Sequence, residues 1–472
     1  MFSSSQFTVN VSACAANMKH FPPVTSKSVA VIGAGAAGLV AARELRREGH
    51  GVVVFERENQ IGGTWVYSPT VESDPLGIDP RREVVQSSLY ASLRTNLPRE
   101  VMGFLDYPFA NPRKPNRDPR RFPGHGEVLE YLKDFACEFR LTELVRFATE
   151  VRFVGLADEG KWEIRSFGRD HGGDALVNEV YDAVVVCNGH FTEPRIAEVP
   201  GMNVWPGNQI HSHNYRIPDD FKDQVVVVIG SSASAEDISR EIARVATEVH
   251  IASRSFQKNK SSEKLSGYEN VWRHPMIEAL GSDGRVNFQD GIVICADAII
   301  HCTGYKYGFP FLETGRVLRL DDNRVGPLYK HVFPPSLAPG LSFVGIPWKV
   351  APFILFELQS KWIAKVLSGR VRLPPEEEMV AEIEAFYLNM EKRGLPKRHT
   401  HQLGEQQFEY DDWLAAECDY PPIEEWRKEM YYVTSQRRSE QPETYRDLWD
   451  DEPLISQAHE HFLRFLPKTP SS

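Results

Sequence analysis

The apolar positions near the start of the chain fall in short unbroken runs. Val29-Ala30-Val31-Ile32 comes first, and Gly33-Ala34-Gly35-Ala36-Ala37-Gly38 follows at once. Unbroken Val/Ile runs predict strands buried on both faces, as in parallel sheets. Leu39 to Glu48 is rich in Ala, Leu, Arg and Glu and predicts a helix, with Gly49 as its stop. Val52-Val53-Val54-Phe55 is the next run and ends in Glu56. The order is strand, glycine turn, helix, strand.

The same pattern returns later in the chain. Val226-Val227-Val228-Ile229-Gly230 matches Val29 to Gly33, and Val249-His250-Ile251-Ala252 matches Val52 to Phe55. Between them, Ser231-Ser232-Ala233-Ser234-Ala235 keeps small residues but replaces the second and third glycines by Ser232 and Ala235. A second repeat supports the first. Asp182-Ala183-Val184-Val185-Val186-Cys187-Asn188-Gly189 resembles Asp297-Ala298-Ile299-Ile300-His301-Cys302-Thr303-Gly304. Farther on, Leu341 to Gly345 predicts another buried strand, and Pro352 to Leu367 a helix stopped at Gly369. From Pro374 the pattern is helical and polar-faced, broken at Pro396, Pro421-Pro422 and Pro442.

Composition narrows the class. A chain of 472 residues suits two or three domains. A net charge of -11 argues against nucleic acid, whose phosphates need a basic face. The six cysteines include no C-x-x-C pair, so neither a disulfide framework, a zinc site nor a redox dithiol is expected. They read as reduced thiols of a cytoplasmic protein. No apolar run approaches the ~20 residues of a membrane-crossing helix. Residues 1–26 are Ser-rich and end near Phe21-Pro22-Pro23; they read as a disordered extension, with Met18 as an alternative start.

The glycine turns carry chemistry. In G-x-G-x-x-G the first glycine permits the tight turn, the second lets backbone approach a pyrophosphate, and the third lets helix and strand pack closely. The helix N-terminus offers free N–H groups to the phosphates. The acid closing the second strand, Glu56, hydrogen-bonds a ribose diol at about the expected spacing of ~20 residues. At the matching position of the second unit stand Ser253 and Arg254. A carboxylate there would repel the 2′-phosphate of NADP, whereas Ser and Arg bind it. Lys258 and Lys260 add positive charge nearby. The alternative reading of Arg254 is a solvated surface arginine.

The motifs between the two turns resemble those of the class B flavin-dependent monooxygenases, and within them the plant glucosinolate S-oxygenase-like group. Trp205-Pro206-Gly207-Asn208-Gln209-Ile210-His211-Ser212-His213-Asn214-Tyr215 is similar to the family's F-x-G-x-x-x-H-x-x-x-Y linker signature, matching at Gly207, His211 and Tyr215. Gly62-Gly63-Thr64-Trp65 resembles its G-G-x-W, and His301 to Lys306 its A-T-G-Y element. Thr95-Asn96-Leu97-Pro98 resembles its T-N-x-P stretch.

The resemblance implies FAD on the first fingerprint, with Gly63, Thr64, Trp65, Thr95 and Gln359 near it, and NADPH on the second. It implies that Asn96 lies beside the reactive face of the flavin; by composition alone Asn96 is a turn residue before Pro98. His211 and His213 read as hinge residues, since no third metal ligand is nearby. The implied reaction is NADPH- and O2-dependent S-oxygenation of a small thioether through a C4a-hydroperoxyflavin. Rival readings are an N-hydroxylase, an oxidative decarboxylase of 2-oxo acids, and a flavin-binding scaffold whose NADPH site has decayed.

The expected fold is α/β: two nested Rossmann-type dinucleotide-binding domains with a C-terminal helical cover. Residues 27–204 begin the FAD domain, 205–329 hold the linker motif and the inserted NADPH domain, and 330–472 complete the first domain and the cover.

Overall fold

In the computed structural model of the chain, residues 25–110, 116–168, 176–256 and 261–465 are described. Nearly all of the expected extension 1–26, including Met18, and both Lys258 and Lys260 lie outside them.

Two parallel sheets organise the molecule. The first has five strands in the order Leu341–Phe343, Ala183–Val186, Ser28–Ile32, Gly51–Phe55 and Val145–Arg146. The second runs Glu263–Lys264, Val271–His274, Glu248–Ala252, Val225–Ile229, Ala298–His301 and Asn208–His211, antiparallel only at Glu263–Lys264. The repeats seen in the sequence become equal registers. Val31 lies between Val54 and Val185, and Val228 between Ile251 and Ile300.

The unbroken apolar runs follow from burial on both faces. Val29 and Val31 pack beneath the helix Ala36–Arg47 and the long helix Pro352–Ser368. Ala30 and Ile32 face the opposite way, onto Val154, Trp162 and Ile164 of an antiparallel sheet. Likewise Val226 and Val228 pack with the helix Ala233–Ile242, while Val227 and Ile229 meet Ile277, Val286 and Phe288.

The first helix starts at Ala36, not at the expected Leu39, because the two alanines continue the helical turn without side-chain cost. The long helix opens with Pro352 at its first turn and closes on Gly369 at φ 81°, a left-handed stop that favours glycine. Beyond it, the helices Glu376–Lys392, Gln407–Glu417, Glu425–Glu440 and Glu452–Phe462 cover the first unit, with the expected proline breaks between them.

A buried ionic seam joins the first helix to the long one. Arg43 meets Glu44 at 2.7 Å, Asp106 at 2.7 Å and Glu357 at 3.0 Å, and Lys361 bridges Glu44 and Glu357. The Arg43–Glu357 contact is Coulombic, since neither facing atom has a well-directed hydrogen bond. Burial alone would lower the Arg43 pKa, but the surrounding carboxylates raise it overall. Removing one partner from such a seam costs about 3–5 kcal/mol, because it strands a buried charge.

The strand Leu312–Glu313 pairs with Thr149–Leu156, and Tyr307, Val325 and Leu328 pack with Ala30 and Ile32. The chain therefore rejoins the packing of the first sheet within the span 205–329.

Candidate functional site

Each parallel sheet ends in a glycine turn at the strand's carboxyl end. Gly33 has φ 103° and Gly230 has φ 131°, a backbone region that favours glycine. Each donates its N–H to the neighbouring strand, Gly33 to Phe55 O at 2.8 Å and Gly230 to Ala252 O at 2.9 Å. Any side chain here would collide with backbone: a Cβ would stand 2.7 Å from Cys187 O at Gly33 and 2.4 Å from Cys302 O at Gly230. The shared strand ends in Cys-Asn-Gly and Cys-Thr-Gly thus press on both turns.

In the first unit, a Cβ on Gly38 would lie 1.8 Å from Gly33 O, so close packing of helix on turn demands glycine. Gly35 faces the backbone of Gly63; a Cβ on Gly35 would come 3.6 Å from Gly63 Cα. Two glycine backbones therefore line a gap at the N-terminus of Ala36–Arg47, and that terminus has no side-chain cap. Ala34 donates its N–H to Glu56 Oε2 at 2.7 Å, and Glu58 donates to Oε1 at 2.9 Å. Burial raises the Glu56 pKa, opposed by these two N–H bonds. Thr64 and Trp65 lie on the short turn after Gly63, and Trp65 meets Phe353 of the long helix edge-on at 6.4 Å. Gap, uncapped N–H groups and acid together fit the diphosphate and ribose of a dinucleotide.

In the second unit, Ser232 precedes the helix Ala233–Ile242 without capping it. Ser253 donates to Ser231 Oγ at 2.8 Å, and Ser255 lies within 3.0 Å of both hydroxyls. No carboxylate stands where Glu56 stands in the first unit. Ala233, Ser234 and Ala235 form the first helical turn, with Ala235 buried. Arg254 is exposed and makes no ion pair among the described residues. The set offers hydroxyls, N–H groups and a free guanidinium to an anion.

The linker motif is a clamp. A Cβ on Gly207 would strike the Trp205 ring at 2.2 Å, which explains the glycine. His211 Nε2 lies 3.0 Å from Gly304 O, and its Nδ1 accepts the His213 N–H at 3.1 Å. Burial lowers the His211 pKa to about 3, so the ring is neutral. His213 bridges Glu72 at 3.1 Å and Ser88 at 2.7 Å, and Tyr215 donates to Glu241 Oε2 on the second unit's helix at 2.8 Å. Both histidines thus spend their ring nitrogens on protein partners.

Thr95 is buried and holds Leu97 O through its hydroxyl at 2.8 Å. Asn96 beside it is exposed, with no hydrogen bond of its own among the described residues. Gln359 is fully buried; its oxygen accepts the Gly345 N–H at 2.9 Å and its nitrogen reaches Tyr410 Oη at 3.1 Å. Its amide therefore organises the end of the strand Leu341–Phe343. Sequence reading missed Tyr410, Ser255, and Arg446, which bonds Thr95 O at 3.0 Å from the far end of the chain. None carries a local motif.

The Flavin-binding monooxygenase-like family matches residues 26–271 and 274–422, and the chain belongs to that family. The chain is a flavin monooxygenase. It is 60% identical over 454 residues to Flavin-containing monooxygenase FMO GS-OX-like 2 of Arabidopsis thaliana, covering 95% of this chain and 97% of that one. It superposes on S-allyl-L-cysteine S-oxygenase from Allium sativum with a TM-score of 0.92 and 59% identity, over 94% of this chain and all of the other. Tmm from Pelagibacter matches at a TM-score of 0.75 and 28% identity, over 90% and 94% of the two chains. Among the described residues no helix is long and apolar enough to cross a membrane.

Proposed function

We propose that the protein transfers one oxygen atom from O2 to the sulfur of a small thioether with a charged tail, of the methylthioalkyl glucosinolate or S-alk(en)yl cysteine type. Thioether, NADPH, a proton and O2 give sulfoxide, NADP+ and water. What supports this reading is the likeness over nearly the whole chain to the garlic S-allyl-L-cysteine S-oxygenase. The described cysteines are all free, which suits the cytoplasm.

Bound FAD supplies the redox chemistry, accepting hydride from NADPH and activating O2. The protein's residues bind and orient. Gly33 and Gly38 shape the turn, Gly35 would leave room for the flavin diphosphate, and Glu56 would take the ribose. Gly63, Thr64 and Trp65 wall the same cofactor. Gly230, the Ser231–Ala235 turn, Ser253 and Arg254 hold NADPH. Gln359 fixes Gly345 near the flavin. Asn96, which has no hydrogen-bond partner among the described residues, would hold the reacting oxygen by hydrogen bonding. The linker residues Gly207, His211 and Tyr215 keep the two cofactor sites in register.

The test is NADPH consumption by FAD-loaded protein with a panel of thioethers and amines, followed by mass spectrometry. Sulfoxide matched to NADPH used is the expected result. Oxygen on nitrogen, or loss of CO2 from a 2-oxo acid, would replace this reading. Asn96→Ala should keep FAD yet release several-fold more H2O2 per NADPH, about what one hydrogen bond is worth. Unchanged coupling would return Asn96 to the role of a turn residue.

A further inference from the structure

The last helices do more than cover the first unit. Helix Glu425–Glu440 and the start of the next helix are anchored there: Arg427 donates to Glu100 O at 3.1 Å, and Arg121 pairs with Asp451, just before Glu452–Phe462, at 2.6 Å. Between these anchors, the chain from Arg438 to Asp447 crosses to the second unit. It meets the helix Ala233–Ile242 through Arg438–Glu236 at 2.6 Å, Arg240–Glu443 at 2.5 Å and Arg446–Asp237 at 2.7 Å. Tyr268 also donates to Glu443, at 2.7 Å.

Arg446 differs from the others in what it joins. Two of its nitrogens hold both Asp237 oxygens, at 3.1 and 2.7 Å. The third, Nε, donates to Thr95 O at 3.0 Å. Tyr90 Oη also donates to Asp237, at 3.0 Å, so the carboxylate is fixed from two sides. Side chains of Arg446 and Asp237 are 17% and 24% exposed, so water weakens these bonds little. A guanidinium is planar and presents its donors in a fixed fork. It therefore sets a distance between the NADPH-site helix and the loop of Asn96.

We infer that Arg446 is a positioning residue: it ties the orientation of the NADPH-site helix, through Asp237, to the backbone beside Asn96. The inference rests on the functional reading above. In that reading the nicotinamide, carried on the second unit, must stay in place against the flavin on the first. The linker motif and the pairing of Tyr305–Lys306 with Glu193–Pro194 hold one side of the junction. The C-terminal strap holds another, and Arg446 is where it touches both units at once.

The experiment uses full-length, FAD-loaded protein with Arg446→Ala, Arg446→Lys and Glu443→Gln. FAD content and Tm serve as folding controls. The readouts are Kd for NADP+, KM for NADPH, H2O2 released per NADPH, and hydrogen exchange at residues 93–97 and 233–242. Arg446→Ala should raise the NADP+ Kd and NADPH KM roughly tenfold, the worth of one charge-assisted pair. It should also raise H2O2 release and exchange in both segments. Arg446→Lys should recover part of the affinity but not the coupling, since one ammonium cannot reach Asp237 and Thr95 together. Glu443→Gln should weaken NADPH only and leave coupling intact.

Arg446→Ala with wild-type Kd, coupling and exchange would overturn the inference. So would equal uncoupling by Glu443→Gln, which would make the strap a general brace. Should Arg446→Ala fail to fold, Asp237→Asn tests the link from the other side, with the same two outcomes. If the unmodified protein oxygenates nothing on the panel, the functional reading fails separately. The NADP+ Kd and exchange data still decide the role of Arg446.

Discussion

The two glycine turns begin alike and end differently. Both start on a positive-φ glycine pressed by a carbonyl from the neighbouring strand, Cys187 O in one and Cys302 O in the other. After that the first turn is tight: Gly38 leaves no space for even one methyl group, and Gly35 faces a second glycine backbone. The second carries Ser232 and Ala235 at these places and still forms strand, turn and helix. At the strand ends, a buried carboxylate binds backbone N–H in the first unit, while hydroxyls bind one another in the second. The second unit thus folds with only the first glycine, whereas the first also needs Gly38 to seat its helix on the turn. The remaining positions set how closely a cofactor is gripped and what charge it meets.

The largest expected effect separates the turns directly. Gly38→Ala should cost more than about 4 kcal/mol, the range of severe backbone clashes, and lose FAD. Gly35→Asp should also purify colourless. The reciprocal Ala235→Gly should cost only about 1 kcal/mol of helix propensity and keep NADPH binding. Thermal melting with flavin absorbance checks all three, and a yellow Gly35→Asp protein would sink the fingerprint assignment.

Acid should separate the units next. The strands of the second sheet carry His211, His250, His274 and His301, and those of the first carry none; in the first unit His190, His331 and His401, whose pKa values burial also lowers, stand in loops. Burial lowers His211 to about 3 and His301 to about 4, and both are fully buried. A depressed pKa means the unfolded chain takes up protons first. Their contribution is therefore complete above the unfolded value of about 6.5 and is lost as pH falls toward 4. At pH 5 each should cost about 2 kcal/mol. Hydrogen exchange, corrected for intrinsic rates, should rise in the second sheet before the first. Simultaneous loss would mean that the units unfold as one.

The smallest effect concerns charge. Arg254→Ala should raise KM for NADPH about tenfold and leave NADH nearly unchanged. Equal effects on both nucleotides would remove Arg254 from the 2′-phosphate site.

Much of this was legible because the signals are local. A glycine at positive φ, an apolar run buried on both faces and an acid at a strand end each leave a mark within a few positions. The repeat of Val29–Gly33 at Val226–Gly230 therefore located both turns, and the proline breaks located the C-terminal helices. Helix starts were less legible: Ala36 and Ala37 serve a turn and a helix equally well. Arg446 was not legible at all. Nothing around it marks it out, because its partners Thr95 and Asp237 lie hundreds of residues away. The same holds for Tyr410 behind Gln359 and for Glu72 behind His213.

By itself, the sequence determined the two parallel strand–turn–helix units, the carboxylate at one strand end against the hydroxyl at the other, and the family, since these rest on residue type and spacing along the chain. The tertiary structure alone decided how the units are held together: which carbonyl presses each turn, which groups answer each linker histidine, and which guanidinium spans the junction. Such contacts depend on where distant segments meet in space, and short-range pattern carries no information about that distance.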